Sequence, residues 1–156
     1  ACDGKQELRT LVMDNSVWLQ NFLVVYQELG TTDFDSLKSV YHPEIEFKDP
    51  MHRVYGLPAL THYFEQIYTK VTSCNFIIEH TFESKSGEAA IYWRMTFVHK
   101  QLNGQDPITV HGHSHLKEQD GLVIFHQDYL DVGAMLYEHI PLLGSAVKAI
   151  KKRASQ

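Results

Sequence analysis

The chain has 156 residues, 44% of them hydrophobic, and a formal net charge of -5, which excludes a disordered tail and argues against nucleic acid as the main partner. No apolar run approaches the roughly 20 residues that span a bilayer. The two cysteines, Cys2 and Cys74, lack C-x-x-C spacing, so a reducing compartment such as a bacterial cytoplasm is the expectation.

Taken in chain order, the elements read as helices, then strands, then a helix. Asp14, Asn15 or Ser16 is placed to cap a helix in which Trp18, Phe22, Val25, Tyr26 and Leu29 recur at three-to-four spacing before Gly30 ends it. A shorter helix capped by Thr32 or Asp33 carries Phe34, Leu37, Val40 and Tyr41, and His42-Pro43 stops it. Ile45 to Asp49 alternates as a short strand that Pro50 ends. Gly56-Leu57-Pro58 opens a third helix with Leu60, Phe64, Ile67 and Tyr68 facing inward.

Three longer strands follow, Cys74 to Glu83, Ala89 to Lys100 and Ile108 to Lys117, separated by turn signals at Ser84 to Gly87 and Asn103-Gly104. Ile91, Trp93, Met95 and Phe97 make an apolar face on the second. Leu122 to Asp131 is the last strand, followed by a helical pattern from Val132 to Arg153 broken near Pro141 to Gly144. Helices grouped before consecutive antiparallel strands predict the α+β class, with a curved antiparallel sheet folded over the N-terminal helices. No repeat or linker divides residues 1 to 156, so one domain is expected, with its core at about 15 to 150.

The final hairpin concentrates chemistry. Side chains alternate along a strand, so His111, His113 and His115 share one face, and Val110, Gly112, Ser114 and Leu116 the other. With Gln119 and Asp120 at the centre of the turn, His113 faces His126 and His111 faces Asp128. These groups then line one sheet face, either in a pocket or in water.

The element order, Phe47-Lys48-Asp49-Pro50, Gly56 before the third helix, and Asp120-Gly121 followed after six residues by Asp128-Tyr129-Leu130-Asp131 resemble the SnoaL-like branch of the nuclear transport factor 2 superfamily. The resemblance covers residues 15 to 150 and implies a cone with an internal pocket, a scaffold shared by isomerases, cyclases, epoxide hydrolases, dehydratases and noncatalytic binding domains. It also implies a homodimer formed through the sheet. Asp49 falls where similar ketosteroid isomerases hold their general base, His113 where they keep an oxyanion-binding acid, and Val25 where they have an oxyanion tyrosine. Tyr41 matches a supporting tyrosine, with Tyr26 one position from the missing one. Asp128 falls where similar limonene epoxide hydrolases place a water-activating aspartate and near where polyketide cyclases are expected to use an acid. The hydrolase Arg-x-Asp triplet is replaced by Arg94-Met95-Thr96.

The candidate catalytic residues are therefore Asp128, Asp49, His113, His111 and His126, with Tyr41, Tyr26, Trp93, Phe64, Ile91 and Met95 as candidate ligand contacts. An aspartate in an apolar cone has its charged form desolvated, and a facing histidine titrates near neutrality. The expected function is metal-free acid/base catalysis, with no cofactor, on a small, largely apolar molecule bearing a carbonyl or hydroxyl group. The alternative is a noncatalytic binder of a lipid-like ligand or a partner-binding dimer. Competing structural roles are an Asx turn before Pro50 for Asp49, a buried hydrogen-bonded acid for Asp128, and core packing for Tyr41 and Trp93. Strand histidines two apart are separated by about 6.6 Å, so the three cannot converge on one metal ion without a bulge. The apolar C-terminal helix with its terminal Lys151-Lys152-Arg153 has three possible roles: packing on its own domain, closing the cone, or resting on an anionic membrane surface.

Overall fold

The computed structural model describes residues 14–156, so Cys2 lies outside the described residues. Helix α1 (Val17–Glu28) buries Leu19, Phe22, Leu23 and Tyr26, a spacing of three and four that puts all four on one face. The expected second helix is only a 3-10 turn, Asp35–Ser39, started by the Asp33 carboxylate accepting the Asp35 N–H at 3.0 Å. Tyr41 belongs instead to strand β1 (Tyr41–Lys48). Pro43 drives its predecessor towards extended backbone, and its missing N–H falls where the ladder to the neighbouring strand is irregular between Tyr41 and Glu46.

A short edge strand that the sequence pattern did not announce, β2 (Arg53–Tyr55), folds back on β1. Helix α2 (Leu57–Ile67) starts after Gly56, whose φ of 84° suits a residue without a side chain, and it buries Leu60, Tyr63 and Phe64. Strands β3 (Val71–Glu83), β4 (Glu88–His99), β5 (Ile108–Gln119) and β6 (Leu122–Leu130) follow. The six strands form one curved, unclosed sheet in the order β2-β1-β6-β5-β4-β3. All pairs are antiparallel except β1 with β6, which is parallel and makes the sheet mixed, not purely antiparallel as expected. Its inner face holds Ile45, Phe47, Ile78, Ile91, Trp93, Val110 and Leu116 against α1 and α2 in one apolar core. After β6 the chain makes a single helical turn, α3 (Val132–Met135), a 3-10 turn at Tyr137–His139, and helix α4 (Leu143–Ala154).

The β5–β6 hairpin corrects the expected register. Asp120 and Gly121, with φ of 56° and 79°, are the central turn residues, so Gln119 faces Leu122. That displacement of the turn would by itself leave the same faces opposed. Beyond it, however, Glu118 pairs with Val123 while Lys117 pairs with Phe125, so Ile124 is an extra residue in β6. One extra residue exchanges the two faces of everything beyond it. Val123 and His126 are consequently both buried although three apart, and Ser114 faces Asp128, Leu116 faces His126, and His113 faces Tyr129.

Opposite Trp93 in the β4–β5 ladder stands Gly112. A Cβ there would collide with the indole ring and lie 2.8 Å from the Tyr129 carbonyl oxygen, so only glycine lets Trp93 lie across β5. Gly112→Ala is expected to lower stability by about 1–3 kcal/mol through this overpacking, read as a reduced urea midpoint together with a change in Trp93 fluorescence.

Candidate functional site

Between the inner face of the sheet and the helices lies a cavity of about 260 Å³ with mostly apolar walls, including Phe22, Phe64, Phe76, Ile91 and Met95. Into it β6 delivers Asp128, and β5 delivers Ser114 from the directly opposite position. Ser114 Oγ donates to Asp128 Oδ1 at 2.5 Å and accepts from Trp93 Nε1 at 2.9 Å. His126, only 1% exposed and two residues before Asp128 on the same face, places Nε2 2.6 Å from the same Oδ1. Its Nδ1 lies 2.6 Å from the Tyr41 hydroxyl, which is 2.5 Å from the Tyr26 hydroxyl.

The buried phenols give this chain its direction. Burial, and after it the negative charge of Asp128, push the Tyr26 hydroxyl well above the ordinary phenolic range. Burial, and then its neighbour Tyr26, do the same to Tyr41. Both therefore keep their protons. One assignment then satisfies every group around an ionised Asp128: Tyr26 donates to Tyr41, Tyr41 to Nδ1, and Nε2–H to the carboxylate, while Trp93 donates to Ser114 and Ser114 to the carboxylate. Two donor chains converge on Oδ1, and among the described residues Oδ2 accepts no hydrogen bond. The imidazole is fixed by packing as well, with Phe47 edge-on at 4.8 Å and Tyr41 stacked at 5.9 Å between ring centroids.

A second carboxylate lines the cavity where β1 ends. Asp49 Oδ1 accepts the backbone N–H groups of Met51 at 2.8 Å and His52 at 2.7 Å, an Asx turn, while Oδ2 accepts from the Tyr63 hydroxyl. Burial, followed by the hydrogen bond to Asp49, raises Tyr63 far above the phenolic range, so it too is a donor. Both Asp49 oxygens are thus engaged, unlike those of Asp128. Elsewhere in the wall, the Cys74 thiol approaches the Tyr68 hydroxyl at 3.8 Å, and burial pushes it up to about 11, which leaves it protonated and unreactive near neutrality.

The structure brings together part of the expected constellation. Asp128, Asp49 and His126 line the cavity, as do Tyr26, Trp93, Phe64, Ile91 and Met95. His111 and His113 do not, because the extra residue in β6 leaves them on the opposite, convex face. His111 is 69% exposed beside Glu79 and Arg94, and His113 is stacked between Tyr92 and Tyr129. Tyr41 sits one layer behind the wall as the link between Tyr26 and His126, fully buried. Ser114 and Tyr63 escaped the sequence reading. A lone hydroxyl on the apolar Val110, Gly112, Leu116 face was the signal for the first, and a tyrosine beside Phe64 in the inward stripe of α2 was the signal for the second. With the histidines divided between two faces, they cannot join Asp128 around one ion, and the described residues contain no group of three or more His, Cys, Asp or Glu that could hold a metal.

Comparison with known proteins places this architecture. The profile of the SnoaL-like domain matches residues 24–126. Among solved structures, similar ones include a protein from Jannaschia sp. CCS1 assigned as a SnoaL-like polyketide cyclase, 15% identical, with a TM-score of 0.68 over 79% of this chain and 94% of that one. A protein with a ketosteroid isomerase-like fold from Catenulispora acidiphila, in complex with trimethylamine, is 10% identical, with a TM-score of 0.66 over 78% and 91%. An LEH-like epoxide hydrolase from M. tuberculosis is 15% identical, with a TM-score of 0.60 over 76% and 83%. At such identities the likeness shows the fold alone. No curated protein is matched by the sequence.

Tyr41→Phe is expected to cost about 1–3 kcal/mol, because it strands the buried Tyr26 hydroxyl and the His126 Nδ1 without their common partner. Equilibrium urea unfolding measures this, and Tyr26→Phe, which leaves the Tyr41–His126 bond in place, is expected to cost less.

Proposed function

This chain belongs to the SnoaL-like domain family, and we propose that it catalyses an acid/base conversion of a small, largely apolar molecule bearing a carbonyl or hydroxyl group, with Asp128 as the base. The observation that carries this reading is the asymmetry of Asp128, a residue lining the cavity: two donor chains hold Oδ1, whereas Oδ2 accepts no hydrogen bond among the described residues. A carboxylate oriented through one oxygen and open at the other has the geometry of a proton acceptor. Base-initiated isomerisation, cyclisation, hydrolysis and dehydration all use such a transfer.

In the step we envisage, Oδ2 takes a proton from an acidic carbon of the substrate or from a water molecule. His126 and Ser114 hold the carboxylate at one angle throughout, as positioning residues. The Tyr63 hydroxyl, kept protonated and giving its single proton to Asp49, can serve a substrate oxygen on which negative charge develops only by turning away from that carboxylate. Asp49, with both oxygens engaged, fits the support of Tyr63 better than the role of base. Proton return from Oδ2 to a different atom of the substrate closes an isomerisation without a net change in the protein.

The second reading, a noncatalytic carrier of a lipid-like ligand, is favoured by the apolarity of the walls. Ligand-dependent rises in melting temperature across ketones, epoxides and fatty acids identify the class that fits. For a ligand so found, Asp128→Asn is expected to lower turnover by roughly a hundredfold to ten-thousandfold with little loss of affinity. Asp49→Asn is expected to lower it less. Bound but unconverted ligands throughout the panel favour the carrier.

We also propose a homodimer through the convex face of the sheet. Phe82, Tyr92, His113 and Tyr129 form a row across four strands with ring centroids 5.9, 5.1 and 4.8 Å apart, and Phe82 is 63% exposed. Tyr129→Glu is expected to convert the dimer to a monomer in sedimentation equilibrium while leaving the melting temperature of the fold within a few degrees.

A further inference from the structure

Helix α4 packs on the rest of the protein through the wrong side for a core helix. Its buried residue is Gly144, where a Cβ would collide with the Glu138 carbonyl oxygen. Seven residues on, Lys151 binds Asp131 Oδ2 at 2.6 Å and Glu138 Oε2 at 3.4 Å. Gly144 and Lys151 therefore mark the seated side, against the 3-10 turn at Tyr137–His139. Leu143, Val147 and Ile150 share a different side, about a quarter turn round the helix. The two outer residues of that stripe lack comparable cover, Ile150 being 67% exposed and Leu143 44%, while Val147 between them is half-buried. Just before it, Leu142 takes a left-handed φ of 67° and projects outward at 89% exposure.

The charges around the stripe select its partner. From Leu143 to Gln156 there are four cations, Lys148, Lys151, Lys152 and Arg153, and no acid, in a chain whose formal net charge is -5. Lys148, Lys152 and Arg153 make no ion pair among the described residues. An apolar stripe on one side of a short helix whose remaining surface carries free cations, with Arg153 bordering the stripe and Lys148 and Lys152 towards the opposite side, is the pattern of a segment lying in the interface of a bilayer with its apolar side chains in the acyl boundary. No helix among the described residues is long and apolar enough to cross the bilayer.

We propose that α4 docks the protein on an anionic phospholipid surface. Because Gly144 and Lys151 already hold the helix, docking requires no folding of a disordered segment. The inference stands on the helix alone and is independent of the chemistry proposed for Asp128.

Flotation of the whole protein with vesicles is the test, comparing phosphatidylcholine mixed with phosphatidylglycerol against phosphatidylcholine alone. Binding is expected only to the anionic vesicles and to weaken steeply as salt rises. The triple variant Lys148→Gln, Lys152→Gln, Arg153→Gln is expected to bind at least tenfold more weakly, and Leu143→Ser with Ile150→Ser likewise, both with unchanged melting temperature because these side chains are exposed. Failure to bind anionic vesicles at low salt overturns the proposal, as does equal binding by the variants. So does concentration-dependent self-association that Ile150→Ser abolishes in the absence of vesicle binding, because the stripe then belongs to a second copy.

Discussion

The extra residue Ile124 in β6 determines which chemistry this fold presents to its interior. Without it, the alternation from Val123 would send His126 and Asp128 outward and bring Gln127 and Tyr129 in. With it, a buried imidazole and a carboxylate project from the same strand beside a core otherwise built from aliphatic and aromatic groups. Everything polar on the inner side of β6 follows from that offset, including the requirement for Ser114 and Tyr41 as partners, because a buried polar group without one costs about 1–3 kcal/mol.

The two aspartates show how similar side chains acquire different capacities from their surroundings. Asp49 sits at a strand end and is saturated by two backbone N–H groups and a phenol. Among the described residues Asp128 is gripped on one oxygen, by donors that are themselves oriented by further donors. A hydrogen-bonded chain of this kind is fixed at both ends by packing: Tyr26 stacks on Phe22 at 4.5 Å, and Trp93 meets Phe76 edge-on at 5.5 Å. Rigidity of this sort spares a reaction the work of reorganising its surroundings.

Much of the scaffold was legible in the chain. Three-to-four spacing located α1 and α2, and alternation located β4 and its inner face, while the last hairpin turn was placed one residue early, at Gln119-Asp120 in place of Asp120-Gly121. What escaped is what periodicity does not encode. A bulge leaves no compositional mark, so a regular alternation through Leu122 to Asp131 misassigned His111 and His113 to the side of Asp128. Tyr41 looked helical by spacing, yet the constraint Pro43 places on its neighbourhood proved stronger. The candidate site was half visible: the acids and the histidine that line the cavity could be named, whereas Ser114 enters only through the residue it faces, a relation fixed by register.

The parallel pairing of β1 with β6 has a consequence for biogenesis. Tyr41 and His126 are 85 positions apart, and the strands carrying them become neighbours only when the final strand is inserted between β1 and β5. Closing so long a loop is entropically slow compared with forming the local hairpins β3–β4 and β4–β5. On the ribosome, a nascent chain therefore reaches a stage in which most of the sheet can form while β1 still lacks its neighbour and the inner apolar face is uncovered along one edge. Aggregation during synthesis is most dangerous in that interval, and arrival of β6 ends it at the same moment that it completes the cavity.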